Sequence, residues 1–272
     1  MKKFWWALGS LLGAVFAYSW IEPYWQKIRH YTIHNKKLPK DFNGFKIIFL
    51  ADIHYGRTLK EKKLNKLIDK INHYNPDIIL LGGDYVIKDK YIKECFECLE
   101  NLKAKQGIYA VIGNHDVAEG LEETLEGMKK ANIISLNNDS VWIHKESKIK
   151  LGGVGDLWTQ EQIIGNTTHD TTSRDYTILL SHNPKYIYEL DKNDNIDLIL
   201  AGHTHGGQFA PMRHLGKVTS ERVKRATGLQ FLTGKKHFDG RDIIVSNGVG
   251  TAKFPLRLFT RPDILMITLK NK

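Results

Sequence analysis

Cysteine is scarce in this 272-residue chain: Cys95 and Cys98 are its only two. Such a pair cannot supply the framework of a disulfide-stapled fold. They lie in ECFECLENL, where Ile92, Cys95, Phe96, Leu99 and Leu102 recur at helical spacing. That spacing predicts cysteines packed as small hydrophobes on a helix, and not a redox CxxC at a strand-to-helix turn. Internal repeats and low-complexity blocks are lacking, which excludes a solenoid or a disordered tract. Acidic excess is lacking as well: 40 Lys and Arg against 30 Asp and Glu leave a net charge of +10. Such a surface favours anionic partners, whether nucleic acid, a phospholipid surface or a phosphorylated small molecule. With 42% hydrophobic residues, the length suffices for one large domain with a full core.

Charge is also missing from the eighteen residues Phe4–Ile21, which carry Trp5, Trp6 and Trp20 near their ends, with Trp25 just beyond. An apolar run of ~20 residues with flanking Trp predicts a single N-terminal membrane anchor, residues 1–22. A cleaved signal peptide and a helix lying on the membrane surface are the alternatives. No twin arginine precedes the run. Lys27, Arg29, Lys36, Lys37 and Lys40 follow it, so the positive-inside bias predicts a cytoplasmic globular domain at the cell membrane. Residues 23–44, basic and punctuated by Pro23, Pro39 and Gly44, read as a connector whose cations meet an anionic leaflet. The globular domain then spans 45–272.

Within it, apolar runs alternate with amphipathic stretches. Strands are predicted at 45–51, 77–81, 107–112 and 133–136, with helices after Leu64 and over 90–102 and 119–131. Beyond Asn137-Asn138 the pattern changes to strands at 141–144, 148–154, 176–180, 196–201, 242–247 and 264–269, with one short helix near 184–190. The economical reading is an α/β fold, a four-layer α/β/β/α sandwich of two mixed sheets flanked by helices.

Five polar motifs sit where apolar runs end: Asp52-Ile53-His54, Gly82-Gly83-Asp84, Gly113-Asn114-His115-Asp116, Ser181-His182-Asn183-Pro184 and Gly202-His203-Thr204-His205. Strand ends converge in α/β folds, so these residues can meet at one point. Two Asp, one Asn and four or five His suit divalent metals, and a two-metal site better than one. Residues two apart on an extended segment point the same way, so Asp52 and His54 could grip one ion. Asp84 has two oxygens and could bridge two. Singly, each motif has a plain alternative: a loop polar pair, a Gly-Asn turn, or His182 capping a helix. His30, His34, His73, His144, His169, His214 and His237 lack such context and read as surface or core residues.

In this order the motifs resemble the calcineurin-like metallophosphoesterase superfamily, over about residues 45–270. Gly202–Gln208 and SNGVGTAKFPLRLFTRPDI are similar to its YaeI/YkuE-like branch of membrane-associated bacterial phosphohydrolases. YkuE-like members carry a twin-arginine export signal that this chain lacks. The resemblance implies two divalent metal ions, Mn²⁺ foremost, with Fe²⁺ or Zn²⁺ as alternatives. It implies Asp52, His54 and His205 on the first, Asn114, His182 and His203 on the second, and Asp84 bridging. It implies a catalytic His115 that does not bind metal but serves the leaving oxygen, with Asp116 orienting it. Hydroxide held between the cations would attack in line at a phosphodiester or pyrophosphate.

Related UDP-2,3-diacylglucosamine pyrophosphatases, and the anchor, lead to the expectation of membrane lipids as partners and of a lipid-linked or nucleotide-lipid substrate. Residues 209–261 mix Arg213, Lys217, Arg222, Lys224, Arg225, Lys235, Lys236 and Arg261 with Phe254, Leu256, Leu258 and Phe259, contacts an amphiphilic phosphate ester would use. A nuclease or cyclic-nucleotide phosphodiesterase is the alternative enzyme. Nucleic acid is not expected as a partner, because it needs no membrane anchor. A metal-binding scaffold is the non-enzyme alternative.

Overall fold

The computed structural model describes residues 1–209, 229–252 and 254–272. Two six-stranded mixed sheets stack face to face. The first has the order β1-β12-β2-β3-β4-β5, with β1 Lys27–Asn35, β12 Asp263–Asn271, β2 Lys46–Leu50, β3 Ile78–Leu81, β4 Ile108–Ala110 and β5 Ile134–Ser135. The second runs β10-β11-β9-β8-β7-β6, with β10 Gly234–Phe238, β11 Arg241–Val245, β9 Leu198–Ala201, β8 Thr177–Ser181, β7 Lys148–Gly153 and β6 Asp139–His144. Strands β2 to β5 are parallel, as are β7, β8, β9 and β11.

Strand alternation assigns the layers. Ile47 and Phe49 of β2 face the second sheet and join Leu151, Ile178, Leu180 and Leu200 in the central core. Their neighbours Ile48 and Leu50 point the other way, onto helices α2 (Glu61–His73), α3 (Ile92–Leu99) and α4 (Asn114–Lys130). Leu64, Leu67, Ile68 and Ile71 recur at helical spacing on α2 and are all buried there. Outside the second sheet the cover is thinner: Leu179, Ile199 and Ile243 lie under Tyr186, Ile187 and Phe231, which sit on short 3-10 turns. Cys95 and Cys98 are buried mid-helix in α3, and burial pushes the Cys98 thiol up to about 11.

Three details differ from the expectations. Residues 27–35 are not connector but strand β1, paired in parallel with β12 along its whole length, so the sandwich begins at Lys27. KIRHYTIHN buries only Ile33 and lies at the sheet edge, where polar residues guard against further strand pairing, so it reads as a charged linker. Two of the cations expected at a leaflet are spent inside the fold: Arg29 pairs with Asp263 at 2.8 Å and Lys37 with Asp197 at 3.0 Å. Lys235 and Lys236 belong to β10, where Lys235 pairs with Asp242 at 2.8 Å. Arg213, His214, Lys217, Arg222, Lys224 and Arg225 lie outside the described residues.

Helix α1 (Lys2–Ile21) precedes the sandwich, and Lys2–Tyr24 is long and apolar enough to cross a membrane.

Candidate metal centre

Every sequence-predicted site residue follows the C-terminal end of a parallel strand: Asp52 and His54 after β2, Asp84 after β3, Asn114 and His115 after β4, His182 after β8, His203 and His205 after β9. The two sheets deliver their strand ends to the same edge of the sandwich, and all eight residues meet there. Three groups of donor atoms lie within 4.8 Å of one another: Asp52, His54 and His205; His54, Asp84 and His115; Asp84, His182 and His203.

The loops reach the centre by left-handed turns, not by extension. Asp52, His54, Asp84, His203 and His205 all have positive φ, between 44° and 70°. Side chains with a Cβ adopt that region at a cost, and such residues collect at functional sites. The pairing of Asp52 with His54 therefore arises from a folded-back loop, not from strand alternation. Gly83 (φ +87°) is required for another reason: a Cβ there would lie 2.5 Å from the backbone nitrogen of Gly113. The β3 and β4 loops could not approach each other with a larger residue.

His182 shows how tautomers are set. Its Nδ1 lies 2.7 Å from the carbonyl of Gly82, an acceptor, so Nδ1 carries the proton and Nε2 turns inward. That Nε2 faces Asp84 Oδ2 at 3.3 Å and His203 Nδ1 at 3.1 Å. On the other side, His54 Nε2 and His205 Nε2 are 3.1 Å apart. His54 Nε2 is 3.5 Å from Asp84, and His205 Nε2 is 3.6 Å from Asp52. The helix cap once open to His182 is made by Asn183, which accepts from the Lys185 amide.

Burial pushes Asp52 up to about 7, together with the charge of Asp84. It takes His54 down to about 4 and His203 down to about 3. Burial would also lower His182, but Asp84 and Asp52 hold it up at about 10. Asp84 is buried too, yet the imidazoles of His182, His54 and His115 keep it well below the usual carboxylate range.

This donor set fits divalent cations. Two pairs of imidazole nitrogens converge on two carboxylates, a crowding that bound cations relieve. Asn114 Oδ1 is buried with no hydrogen-bond partner among the described residues, the state of an oxygen left for an ion. Two three-residue groups flank Asp84, as a dinuclear centre needs.

His115 is half-buried, its ring edge-on to His54 at 4.9 Å, and it lines a cleft of about 270 Å³ with Asn114, His203, Gln208 and Phe254. Asp116 does not orient it. The Asp116 carboxylate instead accepts the backbone N–H groups of Asp84, Tyr85 and Gly113, each at 2.8 Å, and so clamps the β3 loop to the start of α4. Burial and the charge of Asp84 push Asp116 up to about 7, against those three donors.

Sequence reasoning missed two residues. Arg257, fully buried, donates to the carbonyls of Asn247, Gly250, Thr260 and His205. Trp158 stands edge-on to His203 at 4.4 Å. No motif marks Trp158; Arg257 lies within the quoted segment SNGVGTAKFPLRLFTRPDI, where an arginine inside the apolar run FPLRLF was the available signal.

A two-sheet sandwich with a dinuclear donor set at its strand ends defines a metal-dependent phosphoester hydrolase. The chain belongs to the calcineurin-like phosphoesterase family, whose model matches residues 45–207. It is 32% identical to an uncharacterized metallophosphoesterase of Aquifex aeolicus, over 97% of this chain and 98% of that one. It is also 32% identical to the phosphodiesterase YaeI of Escherichia coli, over 91% and 90% of the two chains. Against a Helicobacter pylori metallophosphoesterase, also 32% identical, it spans 64% of the relative's length. Among solved structures, the NAD nucleotidase of Haemophilus influenzae shares the fold with a TM-score of 0.50 at 15% identity, over 76% of this chain and 51% of that one.

Proposed function

We propose that this protein is a membrane-anchored phosphodiesterase or pyrophosphatase acting on a lipid-linked or nucleotide-lipid phosphate. The observation that carries the reading is the position of the cleft. It is lined by the candidate metal donors Asp84, Asn114, His203 and His205 together with exposed Phe254. An apolar helix of 20 residues, α1, belongs to the same chain. YaeI, similar over nearly its whole length, is named a phosphodiesterase, which supports a diester in preference to a monoester.

Asp52, His54 and His205 would hold one cation, Asn114, His182 and His203 the other, with Asp84 shared. Mn²⁺ suits the mixed nitrogen and oxygen donors best, with Fe²⁺ or Zn²⁺ as alternatives. Bound there, the cations supply Lewis acidity and a nucleophile active at neutral pH. The chain's own residues do the rest. His115 sits at the start of α4, where its backbone N–H donates to Asp84 at 2.9 Å and its ring lines the cleft. From the cleft wall its imidazole protonates or stabilises the departing oxygen. Asp116 holds the Asp84 loop in register while this happens.

The test offers the full-length protein with Mn²⁺ UDP-2,3-diacylglucosamine, phospholipids, cyclic nucleotides and bis-p-nitrophenyl phosphate. Hydrolysis of a lipid-linked diester or pyrophosphate, lost in Asp84→Ala, is the expected result. Turnover confined to cyclic nucleotides, or equal turnover by the variant, overturns the reading.

A further inference from the structure

The segment Phe254–Arg261 runs as a strap between the metal centre and the end of α1, and it is bonded to both. At the centre, Gln208 holds it: its side-chain amide donates to the Phe254 carbonyl at 3.0 Å, and its own carbonyl accepts from the Leu258 amide at 3.0 Å. Beneath the strap, the Arg257 guanidinium reaches His205. At the helix, the Arg257 amide donates to the Ser19 carbonyl at 3.0 Å. The Phe259 amide donates to the buried carboxylate of Glu22 at 2.6 Å. The Phe259 ring packs on Tyr18 at 5.3 Å, and Arg261 lies over Trp25 at 4.2 Å while donating to its carbonyl.

These bonds fix the level of the strap relative to α1. Twenty helical residues rise about 30 Å, the thickness of a bilayer's hydrocarbon core. The last turn of α1, with Tyr18 and Trp20, then stands at an interface, and whatever surrounds it surrounds the strap. Phe254, at the cleft end of the strap, is 62% exposed and Phe259, at its helix end, 60%; Trp20, Tyr24 and Trp25, at the end of α1, are exposed as well. Aromatic rings collect at the headgroup level of membranes. Next to them a groove of about 470 Å³ is lined by Tyr24, Gln26 and the three lysines Lys63, Lys66 and Lys70 of α2. Lys63 Nζ sits 3.6 Å from the centre of the Tyr24 ring. Cations clustered beside interfacial aromatics are complementary to anionic headgroups.

We propose that the strap, the aromatic collar and the lysine groove form one surface seated on an anionic lipid bilayer, so that the rim of the cleft at Phe254 opens onto the membrane interface. This rests on α1 being the anchor assigned under the proposed function. It adds that the globular domain is not tethered loosely but docked, with its active edge against the lipid.

The experiment places a nitroxide label at Phe259→Cys in the full chain, reconstituted in phosphatidylcholine vesicles with and without phosphatidylglycerol. A second label at Leu12→Cys reports on α1 itself. Collision with oxygen marks a label in lipid, and collision with an aqueous nickel chelate marks one in water. The expected result is both labels in lipid, with Phe259→Cys deeper when phosphatidylglycerol is present, a difference lost in Lys66→Glu/Lys70→Glu. Leu12→Cys in lipid with Phe259→Cys in water overturns the docked surface and leaves the anchor standing. Both labels in water overturn the anchor and the surface together. Equal depth in the two membranes overturns the anionic preference.

Discussion

Arg257 Nη2 lies 3.3 Å from His205 Nδ1, inside the protein, with the arginine wholly shielded from solvent. The guanidinium fans out to carbonyls on three segments: 247–250, Thr260 and His205 itself. Through its bond to the His205 carbonyl at 3.2 Å it joins the strap to a candidate metal donor; Nδ1, which carries the ring proton once Nε2 holds an ion, is then only a neighbour. A planar fork of five donors can satisfy that many acceptors, and an ammonium on a flexible stem cannot. Arg257→Lys is thus expected to weaken metal binding about 10–100-fold, as loss of a group that orients a ligand does. Titration of the metal-free variant with Mn²⁺ checks it. Unchanged affinity would mean that His205 is held by its own loop alone.

Asp116 makes a similar argument at the β3 loop. Its carboxylate accepts three buried backbone N–H groups, and Asp116→Ala leaves all three without partners. Each such donor costs about 1–3 kcal/mol. The variant should lose more than about 3 kcal/mol of stability in urea unfolding, with Asp116→Asn in between. A loss under about 1 kcal/mol would show that water replaces the carboxylate.

Much of this was legible because strand-end chemistry is local in sequence. Each motif follows its apolar run directly, so Asp52, Asp84, Asn114, His182, His203 and His205 could be placed without knowing the fold. What escaped notice depends on distant contacts. Strand β1 is polar because it lies at an edge, and its register with β12 spans more than 230 positions of chain. Arg257 acts through carbonyls, which every residue possesses. The role expected for Asp116 failed because helix geometry turns its side chain back to the residues before α4, away from neighbouring His115.

His115 can be separated from the metal donors by its leaving-group dependence. As a proton donor it matters most when the departing oxygen is strongly basic. His115→Ala should lower kcat about 10²–10⁴-fold on an alkyl phosphodiester. On bis-p-nitrophenyl phosphate, whose leaving group needs no proton, the loss should be much smaller, with metal content unchanged. Equal losses on both substrates would assign His115 to metal or phosphate binding.

The proton on His182 sets a pH dependence whose sign can be worked out. Its pKa is raised to about 10 in the metal-free protein by Asp84 and Asp52, against the opposing pull of burial. In the unfolded chain it is about 6.5. The charged imidazole therefore stabilises the metal-free fold fully below about pH 6.5, and that contribution is lost as pH rises through about 10. A cation needs Nε2 free, because Nδ1 is committed to the Gly82 carbonyl. Loading must then expel the proton, so apparent metal affinity should rise about tenfold per pH unit between about pH 8, where Asp52 has ionised, and about pH 10. Near pH ~8 Asp52, at about 7, has largely ionised already, and His182 alone should release about one proton per chain. Calorimetric titration with Mn²⁺ in two buffers of different ionisation enthalpy counts that proton. His182→Asn should release none, and a wild-type count near zero would mean that His182 is neutral beside Asp84 before any ion arrives.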